Sequence, residues 1–186
     1  MKTKLRGNAA TRVAIAKDVL LLLRRKKTFV PTKSSYLNIW DNEICEFVIN
    51  NGDSGAQENL SVLIPGCQVC ALGAMFIGMV HLKNEVTVRQ FYRSGCDNIK
   101  VSLEDYFEPE QIDLIERCFE GWPTPFEDRS QGRPLCRLTQ RRLSVPMSYY
   151  DSTGTAAQRM KIIMKNIIRN DGTFVPSQDI KQGSIP

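Results

Sequence analysis

Cys67 and Cys70 are separated by two residues at what reads as the start of an apolar helix. A thiol at a helix N-terminus feels the positive end of the helix dipole, which lowers its pKa. That arrangement fits thiol-disulfide chemistry, so a redox protein using Cys67 and Cys70 is the alternative reading of the chain. Against it, no thioredoxin-type order of strands and helices surrounds the pair. Zinc fits less well: a second C-x-x-C is missing, Cys45, Cys96, Cys118 and Cys136 keep no ligand spacing, and His81 is the sole histidine. His81 lies eleven residues beyond Cys70 on the same run, about 16 Å away at a helical rise of ~1.5 Å per residue. Cys-His and Ser-His-Asp catalysis within one subunit therefore lack their base. Glu104, Asp105, Glu108 and Glu110 cluster as the end of a strand and the start of a helix rather than as an acid and base pair. The reading assigns no catalytic residue, metal or cofactor.

The cations offer a different chemistry. Arg129, Arg133, Arg137, Arg141 and Arg142 precede Tyr149 and Tyr150, and Lys161, Lys165 and Arg169 recur every four residues on one side of a helix. Planar guanidinium forks match phosphate, and aromatic rings stack on bases. Arg133, Arg137, Tyr149, Tyr150, Lys161, Lys165 and Arg169 are the candidate ligand-binding residues. The formal charge of +5 is distributed in three blocks, +9 over residues 1–33, −11 over 34–128 and +7 over 129–186. Such asymmetry either complements itself inside one fold or presents a surface to an anionic partner.

These residues need elements to carry them. A chain of 186 residues with 42% apolar and 24% charged residues is long enough for one packed core and is expected to form a single domain over 1–186. Its longest apolar run, 69–80, is twelve residues, short of the roughly 18–20 that a membrane-crossing helix needs. Lys2, Lys4 and Arg6 resemble the start of a signal peptide, but Lys17 and Asp18 break the following run and no small-residue cleavage site appears; export is not expected. The cysteines then read as reduced thiols.

Two segments echo one another. Ala9-Ala10-Thr11-Arg12-Val13 leads through a basic helix, expected over 8–27, into Thr28-Phe29-Val30-Pro31. Ala156-Ala157-Gln158-Arg159-Met160 leads through a second, expected over 155–170, into Thr173-Phe174-Val175-Pro176. Each reads as a helix, a break and a short edge strand, because proline biases the preceding valine away from helical geometry. Thr153 or Thr155 can cap the second helix and Asn170-Asp171-Gly172 can stop it. In the acidic middle, 36–50 leans to helix, and the small residues Ala71, Ala74 and Gly78 would line one side of a helix and let another backbone approach. Residues 85–92 and 99–103 read as two strands around a Ser94-Gly95 turn. Pro109 and Gly121 bracket a helix over 108–120, and 122–152 shows no sustained period and reads as a long loop. The expected class is α+β, mostly helical, with a small antiparallel sheet or hairpin.

The first helix, the C-x-x-C-A-L-G-A-M-F segment at 67–76, the acidic helix ending Phe119-Glu120-Gly121-Trp122 and the closing N-D-G-T-F-V-P at 170–176 together resemble small proteins encoded by bacteriophages and their bacterial hosts. That resemblance implies the host cytoplasm and an accessory, counter-defence role, exercised by blocking a host defence protein or sequestering a signalling nucleotide. It carries no catalytic residues. The combined expectation is a non-enzymatic protein with a basic surface that engages a signalling nucleotide, nucleic acid or an acidic protein face, with no membrane partner. A homodimer is a further expectation, formed where Phe29-Val30 or Phe174-Val175 adds a strand to a second copy.

Overall fold

The computed structural model describes residues 8–25, 29–38, 50, 54–83, 86–92, 96–121, 127–128, 133–134, 149–150 and 152–183. The chain is mostly helical. Its elements are α1 (Ala9–Arg24), β1 (Phe29–Pro31), α2 (Leu60–Leu63), β2 (Cys67–Val69), α3 (Ala71–Lys83), α4 (Val88–Tyr92), α5 (Cys96–Glu104), α6 (Pro109–Glu120), β3 (Glu127–Asp128), β4 (Arg133–Pro134), α7 (Ala156–Arg169) and α8 (Pro176–Gly183). Among the described residues no helix is long and apolar enough to cross a membrane.

Apolar residues surround the axis of α3, and its first ten residues, Ala71 to Val80, are all buried, so it occupies the centre and packs against α1, α5 and α6. Of the small residues expected on one side, Gly78 permits the close approach that their spacing suggested, and Gly73, on another side, permits a second. A Cβ on Gly78 would lie 3.2 Å from the Ile15 carbonyl oxygen, and one on Gly73 would overlap the Tyr36 carbonyl. The neighbouring helices bury matching stripes: Ile15, Val19 and Leu22 on α1, Ile99 and Leu103 on α5, Ile112, Ile115 and Phe119 on α6, and Met160, Ile163, Met164 and Ile167 on α7. α6 starts on Pro109 and ends where Gly121 turns left-handed at φ 68° and donates to the Arg117 carbonyl at 2.9 Å, as its proline and glycine foretold.

The sheet corrects the expected antiparallel arrangement. β1 and β2 run parallel, with Phe29 opposite Cys67, Val30 opposite Gln68 and Pro31 opposite Val69, and Asn38 bridges to Gln68 on the other side of β2. A separate two-residue ladder joins β3 to β4 in the antiparallel sense. The strands expected in the middle block are helices. Thr87 and Gln90 cap one another reciprocally, the Gln90 amide oxygen accepting from the Thr87 N–H at 3.0 Å and the Thr87 hydroxyl accepting from the Gln90 N–H at 3.2 Å, which starts α4 immediately after Thr87. In 99–103 the buried Ile99 and Leu103 are one helical turn apart, while Val101, which a strand would place on their face, is 64% exposed. The apolar helix likewise begins later than expected, since Cys67 lies in β2 and the helix opens at Ala71, just after Cys70. Of the segment 36–50, residues 39–49 lie outside the described residues, as does most of the loop 122–152.

The two echoed segments are neighbours. Among the described residues α1 and α7 form the most extensive helix pair. The first echo ends in strand β1 as expected, whereas the second does not form a strand. Pro176 instead occupies the first turn of α8, where a proline lacks no needed N–H. The Asn166 side chain takes the place of a strand neighbour: its amide nitrogen donates to the Val175 carbonyl at 2.9 Å and its amide oxygen accepts from the Val175 N–H at 2.8 Å.

Candidate anion-binding surface

Both end helices are fixed at their starts by the same position of the echo. The Asn8 side chain accepts from the Thr11 N–H at 2.9 Å, and Thr155 forms a capping box with Gln158. α7 ends in a left-handed turn: Asp171 has φ 50°, Gly172 has φ 85°, and the Gly172 N–H reaches back to the Ile167 carbonyl at 2.8 Å. Gly172 lies directly on α1, where a Cβ would come within 2.9 Å of both the Ala9 carbonyl oxygen and the Arg12 Cβ. The end of one basic helix thus meets the start of the other, and the opposed helix dipoles favour that contact.

On the outer sides of this pair, Lys17 and Arg24 of α1 and Lys161 and Lys165 of α7 are exposed, and among the described residues none of the four forms an ion pair. Lys161 and Lys165 are one turn apart, as the sequence pattern required. Arg169 continues the row, but its guanidinium is engaged by the buried Asp179 carboxylate. Arg133 contributes its backbone to β4, and Arg137 lies outside the described residues.

The tyrosines part company. Tyr149 is half-buried, and its ring meets that of Tyr150 edge-on at 5.2 Å. Tyr150 is 0% exposed, packs its ring against Phe174 at 5.7 Å and donates its hydroxyl to Asp179. This corrects its expected role as a surface stacking ring, because a ring with no exposed face offers none to a base. Burial first and then the Asp179 contact hold the Tyr150 hydroxyl protonated well above the usual phenol range. Around Asp179 the contacts close: Asn166 donates to it at 2.7 Å, and Asp179 itself is 5% exposed.

Arg12 and Arg159 are residues whose role the sequence did not disclose. They occupy the same place in the echo and perform the same task. Arg12 donates to the Gly172 carbonyl at 2.9 Å and the Tyr106 carbonyl at 3.3 Å, just beyond the ends of α7 and α5. Arg159, 2% exposed, donates to the Phe119 carbonyl at 2.6 Å in the last turn of α6. Helix ends leave carbonyls without intrahelical partners and carry partial negative charge, so each guanidinium supplies both a donor and a complementary charge. The shared arginine of the repeated A-A-x-R was the available signal.

The remaining chemistry-bearing groups are buried. Cys67 and Cys70 are 2% and 1% exposed. The Cys67 thiol donates to the Leu63 carbonyl at 3.0 Å, and burial pushes its pKa up to about 12. Cys118, buried and near Asp179, is pushed to about 12 as well. A thiolate nucleophile needs a pKa displaced in the other direction. His81 sits in the last turn of α3, with its Nδ1 2.9 Å from the buried Asp18 carboxylate of α1. Glu120, at the end of α6, is 4% exposed and accepts from the Ser34 N–H at 2.7 Å; burial raises its pKa, partly offset by that bond and by Lys33 and Arg159. Among the described residues no group of three His, Cys, Asp or Glu side chains could hold a metal ion.

Compared with models of protein families, with curated proteins and with solved structures, the chain matches none.

Proposed function

We propose that this chain is a non-enzymatic binding protein that engages an anionic partner, whether a signalling nucleotide, nucleic acid or the acidic face of a host defence protein. It does so through a basic surface contributed by both ends of the sequence. The observation that carries the reading is the packing of α1 on α7, helices drawn from the two basic blocks of the sequence. Lys17, Arg24, Lys161 and Lys165 supply exposed cations there, and Tyr149 is the named ring that keeps part of its surface in solvent. Arg133 and Arg137 join the proposed surface on their charge alone. The resemblance to proteins of phages and their hosts adds the expected setting, a bacterial cytoplasm, and a counter-defence purpose. Burial of Cys67 and Cys70 and the raised pKa of Cys67 favour binding over the redox alternative.

Fluorescence anisotropy with a labelled single-stranded DNA, a labelled cyclic dinucleotide and a labelled acidic peptide tests the reading. At least one probe should bind, with an affinity that falls steeply as salt rises; on single strands the logarithmic slope is about −0.7 per phosphate neutralised. Lys161→Glu with Lys165→Glu should weaken that probe and flatten the slope. Binding that ignores salt, or no binding of any of the three, overturns the proposal.

A further inference from the structure

The side chains around Asp179 have the composition of a binding site. Three donors of different kinds converge on one carboxylate: the Tyr150 hydroxyl and the Asn166 amide on Oδ2, and the Arg169 guanidinium on Oδ1. Two of them are held by contacts that do not involve Asp179. The Tyr150 ring is wedged between Tyr149 and Phe174, and the Asn166 amide is pinned by Val175 and by Asn170, whose amide donates to it at 3.0 Å. Preorganised donors of this sort recognise any small oxyanion, carboxylate or phosphoryl, that reaches them. The occupant is carried on α8, an eight-residue helix at the end of the described chain. Phe174 is buried and Val175 is clasped immediately before the buried Pro176, so the contacts that hold Tyr150 and Asn166 lie outside α8. Arg169 opens the cradle to solvent with a side chain 38% exposed, and it lies one turn beyond Lys165 in the exposed row.

We infer that Tyr150, Asn166 and Arg169 form an oxyanion-binding site that the chain's own Asp179 fills, and that α8 is a latch which an oxyanion of the partner displaces. The cradle stands on its own contacts; the latch rests on the basic-surface reading above. While Asp179 is in place its carboxylate occupies the donors of Tyr150, Asn166 and Arg169. Its departure removes a negative charge from the end of the basic row and leaves the cradle open to an oxyanion.

Melting of the full-length Asp179→Ala chain in sodium formate, sodium phosphate and sodium chloride of equal ionic strength tests the cradle, with the natural chain as control. A ligand that binds only the folded chain raises its Tm. Formate or phosphate should raise the Tm of Asp179→Ala above its value in chloride by more than it raises the control, and adding Arg169→Met should erase the gain. Formate acting alone marks a carboxylate site and phosphate acting alone a phosphoryl site; identical shifts in variant and control overturn the site. If Asp179→Ala does not fold, Asp179→Asn keeps the shape without the charge, and its Asn166 side-chain amide NMR signal should move on titration with sodium formate or sodium phosphate but not with sodium chloride; a signal that stays fixed in both overturns the site. For the latch, Asp179→Asn should bind the single-stranded DNA probe roughly tenfold more tightly than the natural chain, the worth of one freed charge-assisted contact. Equal, measurable affinities overturn the latch and leave the basic surface standing. If neither chain binds the single strand, the same comparison is made with whichever of the three probes the natural chain binds; binding of none removes both the surface and the latch, and the melting series still decides the cradle.

Discussion

Glu120 and the buried cysteines show how burial redirects groups that look reactive on paper. The folded chain holds the Glu120 proton more tightly than the unfolded chain does, chiefly because ionisation would place a charge in a desolvated position. Its favourable contribution is therefore complete below the ordinary carboxylate range and is lost as pH rises through the raised folded pKa. Glu120→Gln retains an acceptor for the Ser34 N–H and removes the ionisation. Its stability relative to the natural chain should increase as pH is raised from about 4 toward neutrality, measured by urea denaturation at each pH; a difference that stays constant across that range would show that Glu120 ionises without cost. For the thiols, native alkylation at mildly alkaline pH followed by peptide mass spectrometry should leave Cys67 and Cys118 unmodified until denaturant is added, since both are buried with pKa values near 12. Rapid labelling of Cys67 in the folded chain would revive the redox alternative. A C-x-x-C spacing reports only that two sulfurs are close in the chain. Whether they face solvent depends on the packing around them, which leaves Cys67 2% and Cys70 1% exposed and pairs Cys67 with Phe29 of β1, distant in sequence.

Periodicity made the elements at the two ends legible, and competing local signals hid those in the middle. α1 and α7 fall close to their expected bounds because each combines a capping side chain with a stripe of apolar residues at helical spacing. The A-A-x-R echo was visible too, although its meaning, two guanidiniums closing the ends of neighbouring helices, needed the partners' carbonyls. Residues 85–103 misled because Val86 and Val88 alternate over too short a span to outweigh the Thr87 and Gln90 capping box. The parallel pairing of β1 with β2 was not legible, since nothing local in Phe29–Pro31 names a partner beyond α2. Among the candidate site residues, the exposed Lys161 and Lys165 followed from helical spacing alone. Tyr150 did not, because the aspartate that draws its hydroxyl inward lies on a different helix. The junction of α7 with α1 gives a direct test of how the echoed elements are joined. Gly172→Ala places a methyl group against Ala9 and Arg12 at a left-handed φ and should lower stability by about 2 kcal/mol or more. Gly66→Ala has a similar φ of 79° with open space around it, so it should cost distinctly less. Equal losses in chemical denaturation would mean that backbone strain alone, without the helix contact, sets the penalty.

Across the whole molecule, the charge pattern and the fold make one joint statement. Blocks of +9 and +7 at opposite ends of the sequence flank a block of −11, and the chain folds so that helices from the two basic blocks lie together. Two arrangements of the exposed cations are compatible with that packing: one continuous patch, or two patches facing different ways around the helix pair. A charge-reversal cycle separates them. Lys17→Glu with Arg24→Glu on α1 and Lys161→Glu with Lys165→Glu on α7 each remove two cations from one helix. In a shared patch every pair reports on the same bound polyanion, so each should weaken the probe and reduce the steepness of its salt dependence. The slope should change by roughly 0.7 for each phosphate of a single strand that is no longer neutralised. The quadruple variant should then bind with little salt dependence. If the patches are separate, the α7 pair alone carries the effect and the α1 pair leaves the slope where it was. Circular dichroism melting of each variant keeps loss of charge distinct from loss of fold. An exposed charge reversal that breaks no ion pair is worth only a few tenths of a kcal/mol of stability, so a large fall in binding with an unchanged Tm isolates the electrostatic term.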